Sequence, residues 1–160
     1  YDKTSGFVRK AIFNEDMIYA AGVIRAGYRV AYVADAKVYH SHNYDNMTQF
    51  HRNFDNGVSQ AEYPELFENI SSTGEGKKLV KLTIEHLKAI NKKRLIPKLI
   101  ISSGYKYIGF KLGKNYKRLS DGFILKCTMN KEYWMRKSIR NATKNIDPYS
   151  GYGISEDERK

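Results

Sequence analysis

The sequence predicts an α+β chain that is mainly α-helical, with two short strands followed by a basic helical extension. Apolar residues recur at helical spacing along most of the chain. Aromatic and β-branched residues cluster over 28–33 and 36–40, as is typical of strands. The chain has 160 residues, of which 41% are hydrophobic. This is enough to build a core in one domain, or in one compact unit with an extension.

The first predicted helix begins near Asn14, a residue suited to an N-cap, and ends at Gly27. The two predicted strands follow it, separated by a turn at Ala34-Asp35. A second helix is predicted over 47–63, where Pro64 stops it. The buried stripe of the first helix is expected to consist of Met17, Ile18, Ala20, Ala21 and Ile24.

The second half of the chain is predicted to be helical. Residues 71–76 are rich in Ser and Gly and are predicted to form a linker. Helices are then expected over 77–95, from Pro97 to Leu112, and over 121–144. The resulting domain organisation has three parts: the first region 1–70, the basic helical extension 77–146 and a loose tail 147–160.

Positive charge is concentrated in one segment of the chain. Lys and Arg number 28 against 17 Asp and Glu, a net charge of +11, yet residues 77–118 alone contain 13 basic and 1 acidic side chain. With aromatic residues interleaved, this segment indicates contact with an anionic membrane surface. The alternative is an ordinary solvated helix face. Nucleic acid is not expected as a partner, because no nucleic-acid motif accompanies the charge.

Several protein classes are excluded by the composition. No apolar run reaches the roughly 18–20 residues that a membrane-spanning helix needs. A single cysteine, Cys127, excludes a disulfide framework and a multi-cysteine metal site, and fits a reducing compartment. The chain begins at Tyr1 with neither a signal peptide nor an initiator Met. We therefore expect a fragment of a longer protein.

Two pairs of side chains are candidates for chemistry. Glu15 and Asp16 begin the first predicted helix, where a carboxylate can act as a general base on a hydroxyl group. The alternative is that the helix dipole alone favours acids there. His40 and His42 alternate along the second predicted strand, so they would share one face and could bind a metal or a phosphate. The alternative is a polar strand end with one histidine held by packing. Two histidines alone do not complete a zinc site.

Residues 6–67 resemble part of a known family. The similarity is carried by Phe13 to Ala21, Ala26-Gly27-Tyr28, Ala31-Tyr32-Val33, Ala36, Val38 to Tyr44, Phe50, Arg52 to Asp55, Gly57-Val58 and Gln60. In order and spacing these residues resemble the late part of the catalytic domain of the large family of inverting glycosyltransferases with the GT-A fold. The bacterial rhamnosyltransferase-like members are the most similar. The resemblance implies the C-terminal remnant of a Rossmann-like GT-A catalytic domain.

The resemblance also implies a role for each candidate residue. Asp16 would be the base that deprotonates the acceptor hydroxyl, and Glu15 would orient the acceptor or support the loop. His40 or His42 would contact a divalent metal, Mg²⁺ or Mn²⁺, or the donor diphosphate. The implied reaction is inverting transfer of a sugar such as rhamnose from a nucleotide-sugar to a lipid-linked or polysaccharide acceptor. The implied location is cytoplasmic, at the inner face of the plasma membrane of a bacterium.

The sequence departs from the family pattern in one respect. The family binds its nucleotide-sugar through an earlier half-domain that ends in an Asp-X-Asp motif, and no such motif follows a strand here. The acidic run at 156–158 lies in the tail. We therefore expect the fragment alone to be inactive. A different interpretation is a non-catalytic peripheral-membrane or scaffold module built around 77–118.

Overall fold

The computed structural model of the chain describes residues 6–8, 10–40, 42–67 and 72–143. It is mainly helical, at 70%. The chain divides into two compact units, Tyr1–Met129 and Asn130–Lys160. The helices in the described ranges are α1 Glu15–Arg25, α2 Asn46–Glu62, α3 Pro64–Phe67, α4 Ser72–Ala89, α5 Ile96–Lys114, α6 Asp121–Cys127 and α7 Lys131–Thr143.

Helix α1 begins and ends where the sequence predicts. Asn14 precedes it in the left-handed region, with φ 60°. Gly27, with φ 83°, ends the helix, and the N–H groups of Gly27 and Tyr28 donate to carbonyl oxygens of the last turn. This is the Schellman pattern, which requires a positive φ at the glycine. Within the predicted apolar stripe, Ile18 is buried whereas Met17 is 44% exposed.

The two predicted strands are wrong, and with them the α+β class and its two-stranded GT-A remnant. The residues that the structure describes contain no β-strand. Residues 28–40 instead form an irregular, exposed segment, in which the N–H of Ala36 donates to the carbonyl of Val33 at 3.2 Å. Tyr32 is 94% exposed. Aromatic and β-branched residues favour a strand only where another strand pairs with them, and the described part of the chain supplies no such partner.

Helices α2 and α5 form the centre of the first unit. Phe54 and Val58 of α2 are fully buried. Glycines let the two helix backbones approach closely, because a Cβ added at Gly109 of α5 would lie 2.3 Å from the carbonyl oxygen of Phe50 of α2. No side chain larger than hydrogen fits at that position.

The ends of α2, α4 and α5 follow local signals. The Asp45 carboxylate caps α2 by accepting from the N–H of Thr48 at 2.7 Å, and hydrogen bonds from Thr48 lower the pKa of that carboxyl below its ordinary value. Helix α4 begins at Ser72, inside the predicted linker, and ends at Ala89, earlier than predicted. Pro97 lies in the first turn of α5, as predicted.

The helix predicted over 121–144 is interrupted after Cys127. Asp55 of α2, which is 3% exposed, accepts from the hydroxyl of Thr128 at 2.6 Å and from the N–H of Met129 at 3.0 Å. Thr128 is extended, and α7 begins only at Lys131. The carboxylate takes the amide hydrogen that would otherwise continue the helix, so a residue of α2 determines where α6 ends.

Three further expectations concern the C-terminal tail, the domain boundaries and membrane-spanning helices. The tail predicted over 147–160 lies outside the described residues. The predicted domain boundaries stay a prediction, although α2 from the first predicted region packs on α5 from the predicted extension. Among the helices of the described ranges, none is both long and apolar enough to cross a membrane.

Candidate functional site

Glu15 and Asp16 lie in the first turn of α1, and both are exposed. Oδ1 of Asp16 accepts from the N–H of Met17 at 2.8 Å. No cation among the described residues forms an ion pair with either carboxylate. An exposed carboxylate of this kind can meet the hydroxyl group of a second molecule, which a general base requires. Stabilisation of the helix start remains the alternative role.

The start of α1 is anchored to α2 by two tertiary hydrogen bonds. The side-chain amide of Asn14 donates to Oδ1 of Asn56 at 2.9 Å, and the hydroxyl of Ser59 donates to the carbonyl oxygen of Phe13 at 2.6 Å. Asn14 therefore stands at the N-cap position without capping through its side chain. The orientation of the acidic pair depends on α2.

A polar cleft of about 220 Å³ lies beside this anchor. Its walls come from α2, from α5 and from the segment that precedes α1. The residues that line it are Phe13, Gln49, Arg52, Asn53, Asn56 and Lys106. Because Asn56 also binds Asn14, the cleft adjoins the first turn that carries Glu15 and Asp16. We refer to it as the Arg52 cleft.

The guanidinium of the Arg52 cleft is oriented by aromatic rings, and the two positive charges of the cleft are not neutralised. The guanidinium of Arg52 lies over the rings of Phe13 and Tyr44, 4.8 Å and 5.6 Å from their centroids. Stacking on aromatic faces orients the planar guanidinium and leaves the N–H groups at its edge free to donate. Within the described ranges, no carboxylate pairs with Arg52 or with Lys106. An anion entering the cleft meets two unpaired cations.

The structure brings His40 and His42 together on the irregular segment that precedes α2. Their ring centroids are 4.2 Å apart in an edge-to-face arrangement, and His42 stacks on Tyr44 at 4.7 Å. No group of three or more His, Cys, Asp or Glu side chains that could hold a metal occurs in the part of the chain that the structure describes. Two imidazoles fall short of a metal site. These residues alone therefore do not fit the divalent metal that the resemblance implies.

His51 and Cys127 have structural surroundings. Nδ1 of His51 donates to the carbonyl oxygen of Cys127 at 2.7 Å. Burial raises the pKa of the Cys127 thiol, and the negative charge of Asp55 raises it further. A buried thiol held in its neutral form is a poor nucleophile. We therefore assign both residues to packing around the end of α6.

The residues of the Arg52 cleft were not predicted as site residues from the sequence. Four of them, Gln49, Arg52, Asn53 and Asn56, are spaced so that they share one face of α2. This polar stripe at helical spacing is the signal that could have identified them. Lys106 belongs to α5, and nothing in its local sequence separates it from neighbouring lysines.

Comparison with known proteins identifies two similar curated proteins. The O-antigen chain rhamnosyltransferase RfbN of Salmonella typhimurium is 39% identical over 135 residues, covering 84% of this chain and 43% of that protein. The O-antigen chain rhamnosyltransferase WbaN of Salmonella anatum is 38% identical over 135 residues, covering 84% of this chain and 42% of that protein. The similarity confirms that the chain is related to glycosyltransferases.

The match is partial in length. The chain spans less than half the length of the two rhamnosyltransferases that it matches. No family model matches the chain, and no solved structure matches it significantly.

Proposed function

We propose that the chain is part of a bacterial glycosyltransferase that transfers rhamnose in O-antigen synthesis with inversion at the anomeric carbon. The observation that carries the proposal is the similarity to two O-antigen chain rhamnosyltransferases over 84% of the chain. The donor is a nucleotide-sugar, and the acceptor is a lipid-linked glycan or polysaccharide. An exposed carboxylate beside a polar cleft supports the same function.

In this proposal Asp16 is the general base. It takes the proton of the acceptor hydroxyl while the hydroxyl oxygen attacks the anomeric carbon, opposite the departing nucleoside diphosphate. The N–H of Met17 binds Oδ1 of Asp16, so the second carboxylate oxygen is available to the acceptor. Glu15, beside it in the same turn, orients the acceptor. The divalent metal and its contact with His40 or His42 stay a prediction.

The variant Asp16→Asn in the full-length protein tests the assignment. We expect turnover to fall by about 10²–10⁴-fold, which is the usual contribution of a positioned base. Donor affinity and melting temperature should stay near wild type. The matched control is Asp121→Asn, because Asp121 is an exposed acid in the first turn of α6. An Asp16→Asn enzyme that keeps its turnover, or loses it only by unfolding, contradicts the role of Asp16 as base.

We also propose that the basic segment 77–118 holds the protein at an anionic membrane surface, at the inner face of the plasma membrane. Large apolar side chains are exposed among its lysines, with Leu79 at 66%, Ile100 at 53% and Ile108 at 55% exposure. Apolar and basic side chains together suit the boundary between lipid headgroups and acyl chains. Each Lys or Arg near an anionic bilayer contributes about 1 kcal/mol of attraction.

A non-catalytic peripheral-membrane or scaffold module would share this basic surface. The two functions differ in what Asp16 does. A module without catalysis predicts that the full-length protein transfers no sugar and that Asp16→Asn leaves membrane binding unchanged. An enzyme predicts transfer that depends on Asp16.

A further inference from the structure

We propose that the Arg52 cleft binds the phosphate of a phosphorylated sugar ligand, with Arg52 and Lys106 as its cationic partners. The inference rests on the proposed function, because it names the ligand chemistry of the same site. Three features of the cleft support it: unpaired positive charge, fixed amide groups and small volume.

The charge of the cleft suits a phosphate. Arg52 belongs to α2 and Lys106 to α5, so the two cations approach the cleft from different helices. A guanidinium held against aromatic rings presents two N–H groups in one plane, the geometry that binds two phosphate oxygens at once. Lysine adds a point charge that three donor hydrogens can direct to a third oxygen. None of the residues that line the cleft is acidic.

The amides of the cleft suit the hydroxyl groups of a sugar. The side-chain nitrogen of Asn53 donates to the backbone carbonyl of Gln49 at 2.7 Å, which leaves the Asn53 side-chain oxygen as an acceptor. Oδ1 of Asn56 accepts from Asn14, which leaves the NH₂ of Asn56 as a donor. A hydroxyl group both donates and accepts, so a wall with fixed groups of both kinds matches it.

The volume limits what the cleft can hold. At about 220 Å³ it is smaller than the roughly 300–1,000 Å³ of pockets for drug-sized ligands. A phosphate with its attached sugar fits this space, and the rest of a larger ligand would extend outside the cleft. Two ligands of the proposed reaction contain such a group. One is the diphosphate of the nucleotide-sugar donor, and the other is the diphosphate of a lipid-linked acceptor.

Inorganic pyrophosphate is the first probe, titrated calorimetrically against the 160-residue chain. We expect Lys106→Gln and Arg52→Gln each to weaken binding by about tenfold, the scale on which hydrogen bonds to charged groups contribute. Arg52→Lys keeps the charge but loses the planar fork, so it should also weaken binding. The matched control is Lys111→Gln, because Lys111 is an exposed lysine of α5 outside the cleft. Its affinity should equal that of wild type, and circular dichroism checks that every variant is folded.

The two sources are distinguished with two further probes, UDP for a nucleoside diphosphate and farnesyl diphosphate for a lipid diphosphate. The source is the probe that binds the wild-type chain more tightly and loses that affinity in Lys106→Gln but not in Lys111→Gln. Absence of pyrophosphate binding, or equal losses in Lys106→Gln and Lys111→Gln, would overturn the inference. Equal losses would assign the binding to the general positive charge of the chain.

A failure of this inference can be distinguished from a failure of the proposed function. If pyrophosphate binds through the cleft while the full-length protein transfers no sugar, the proposed function fails and the anion site stands. If transfer depends on Asp16 while Arg52→Gln and Lys106→Gln bind pyrophosphate as wild type does, the inference alone fails.

Discussion

Gly113 of α5 lies directly against the backbone of Phe54 of α2, so that a Cβ added at Gly113 would stand 2.0 Å from the Phe54 carbonyl oxygen. Both partners are helix backbone, and no rotation of a side chain can relieve such a contact. Arg52 lies two residues before Phe54, and Lys106 lies seven residues before Gly113 in α5. The close approach of the two helices therefore sets the separation of the two cations in the Arg52 cleft.

The first prediction concerns this contact. We expect Gly113→Ala to lower the free energy of unfolding by about 1–3 kcal/mol or more, because the added methyl group forces α2 and α5 apart. The control is Gly104→Ala in the same helix, where a Cβ would meet nothing within 4 Å. There the better helix propensity of alanine should add up to about 1 kcal/mol. Urea unfolding of both variants measures the difference, and equal stabilities would contradict the close approach.

The second prediction concerns the carboxylate that ends α6. Asp55→Asn replaces an ionised acceptor of two hydrogen bonds by a neutral amide, so we expect a loss of about 1.5–3 kcal/mol in the free energy of unfolding. Hydrogen exchange at the N–H of Met129 should become faster at the same time. Asp121→Asn, at an exposed position, serves as the control. Unchanged exchange at Met129 would show that Asp55 does not hold this segment.

These two contacts also show why some elements could be predicted from the sequence and others not. The ends of α1, α2 and α5 depend on Gly27, Asp45, Pro64 and Pro97, and each of these acts within a few residues of its own position. The end of α6 depends on Asp55, which is 73 residues away from Thr128. A contact between residues so far apart in the sequence cannot be predicted from the residues around the end of α6.

The predicted strands and the Arg52 cleft both show that local sequence does not determine which segments pack together. Residues 28–40 have the composition of strands, but a strand requires a partner that composition does not supply. The Arg52 cleft forms only where α2, α5 and Phe13 meet. The polar stripe of α2 can therefore be recognised as part of a cleft only once the packing of these elements is known. The position of Glu15 and Asp16 at a helix start could be predicted because it is a local property, whereas their role in catalysis stays a prediction.

The third prediction concerns pH. Burial raises the pKa of the Cys127 thiol above its ordinary value of 9.0, and the charge of Asp55 adds to this. The neutral thiol is therefore favoured by folding, and this contribution to stability is present below pH 9 and lost as the pH rises through the raised pKa. Burial likewise raises the pKa of Tyr63, with the same sign at higher pH. We expect the free energy of unfolding to fall above pH 9, and to fall less in Cys127→Ala.

Thiol reactivity provides a second measurement of the same pKa. Cys127 is the single cysteine of the chain, so a disulfide reagent reports on it alone. At pH 8 we expect slow modification of the folded chain and fast modification in urea, because the thiolate is the reactive form. Fast modification of the folded chain would contradict the burial of this thiol.

The last prediction concerns the basic segment 77–118. The chain should float with vesicles that contain anionic lipid and not with neutral vesicles, because the attraction is electrostatic. Recovery should decline as salt rises and the Debye length shortens from roughly 10 Å at 0.1 M to 3 Å at 1 M. Equal recovery with neutral and anionic vesicles, or no flotation at low salt, would contradict membrane attachment.

Two double variants distinguish membrane binding by the basic segment from binding by the overall positive charge of the chain. Lys81→Gln with Lys88→Gln removes two exposed lysines of α4, whereas Lys37→Gln with Lys126→Gln removes two exposed lysines outside the segment. Both carry the same net charge, so a nonspecific attraction weakens equally in the two. At about 1 kcal/mol for each lysine near the surface, the α4 pair should lower partitioning about 30-fold. The control pair should bind as wild type does, because neither of its lysines would approach the lipid headgroups.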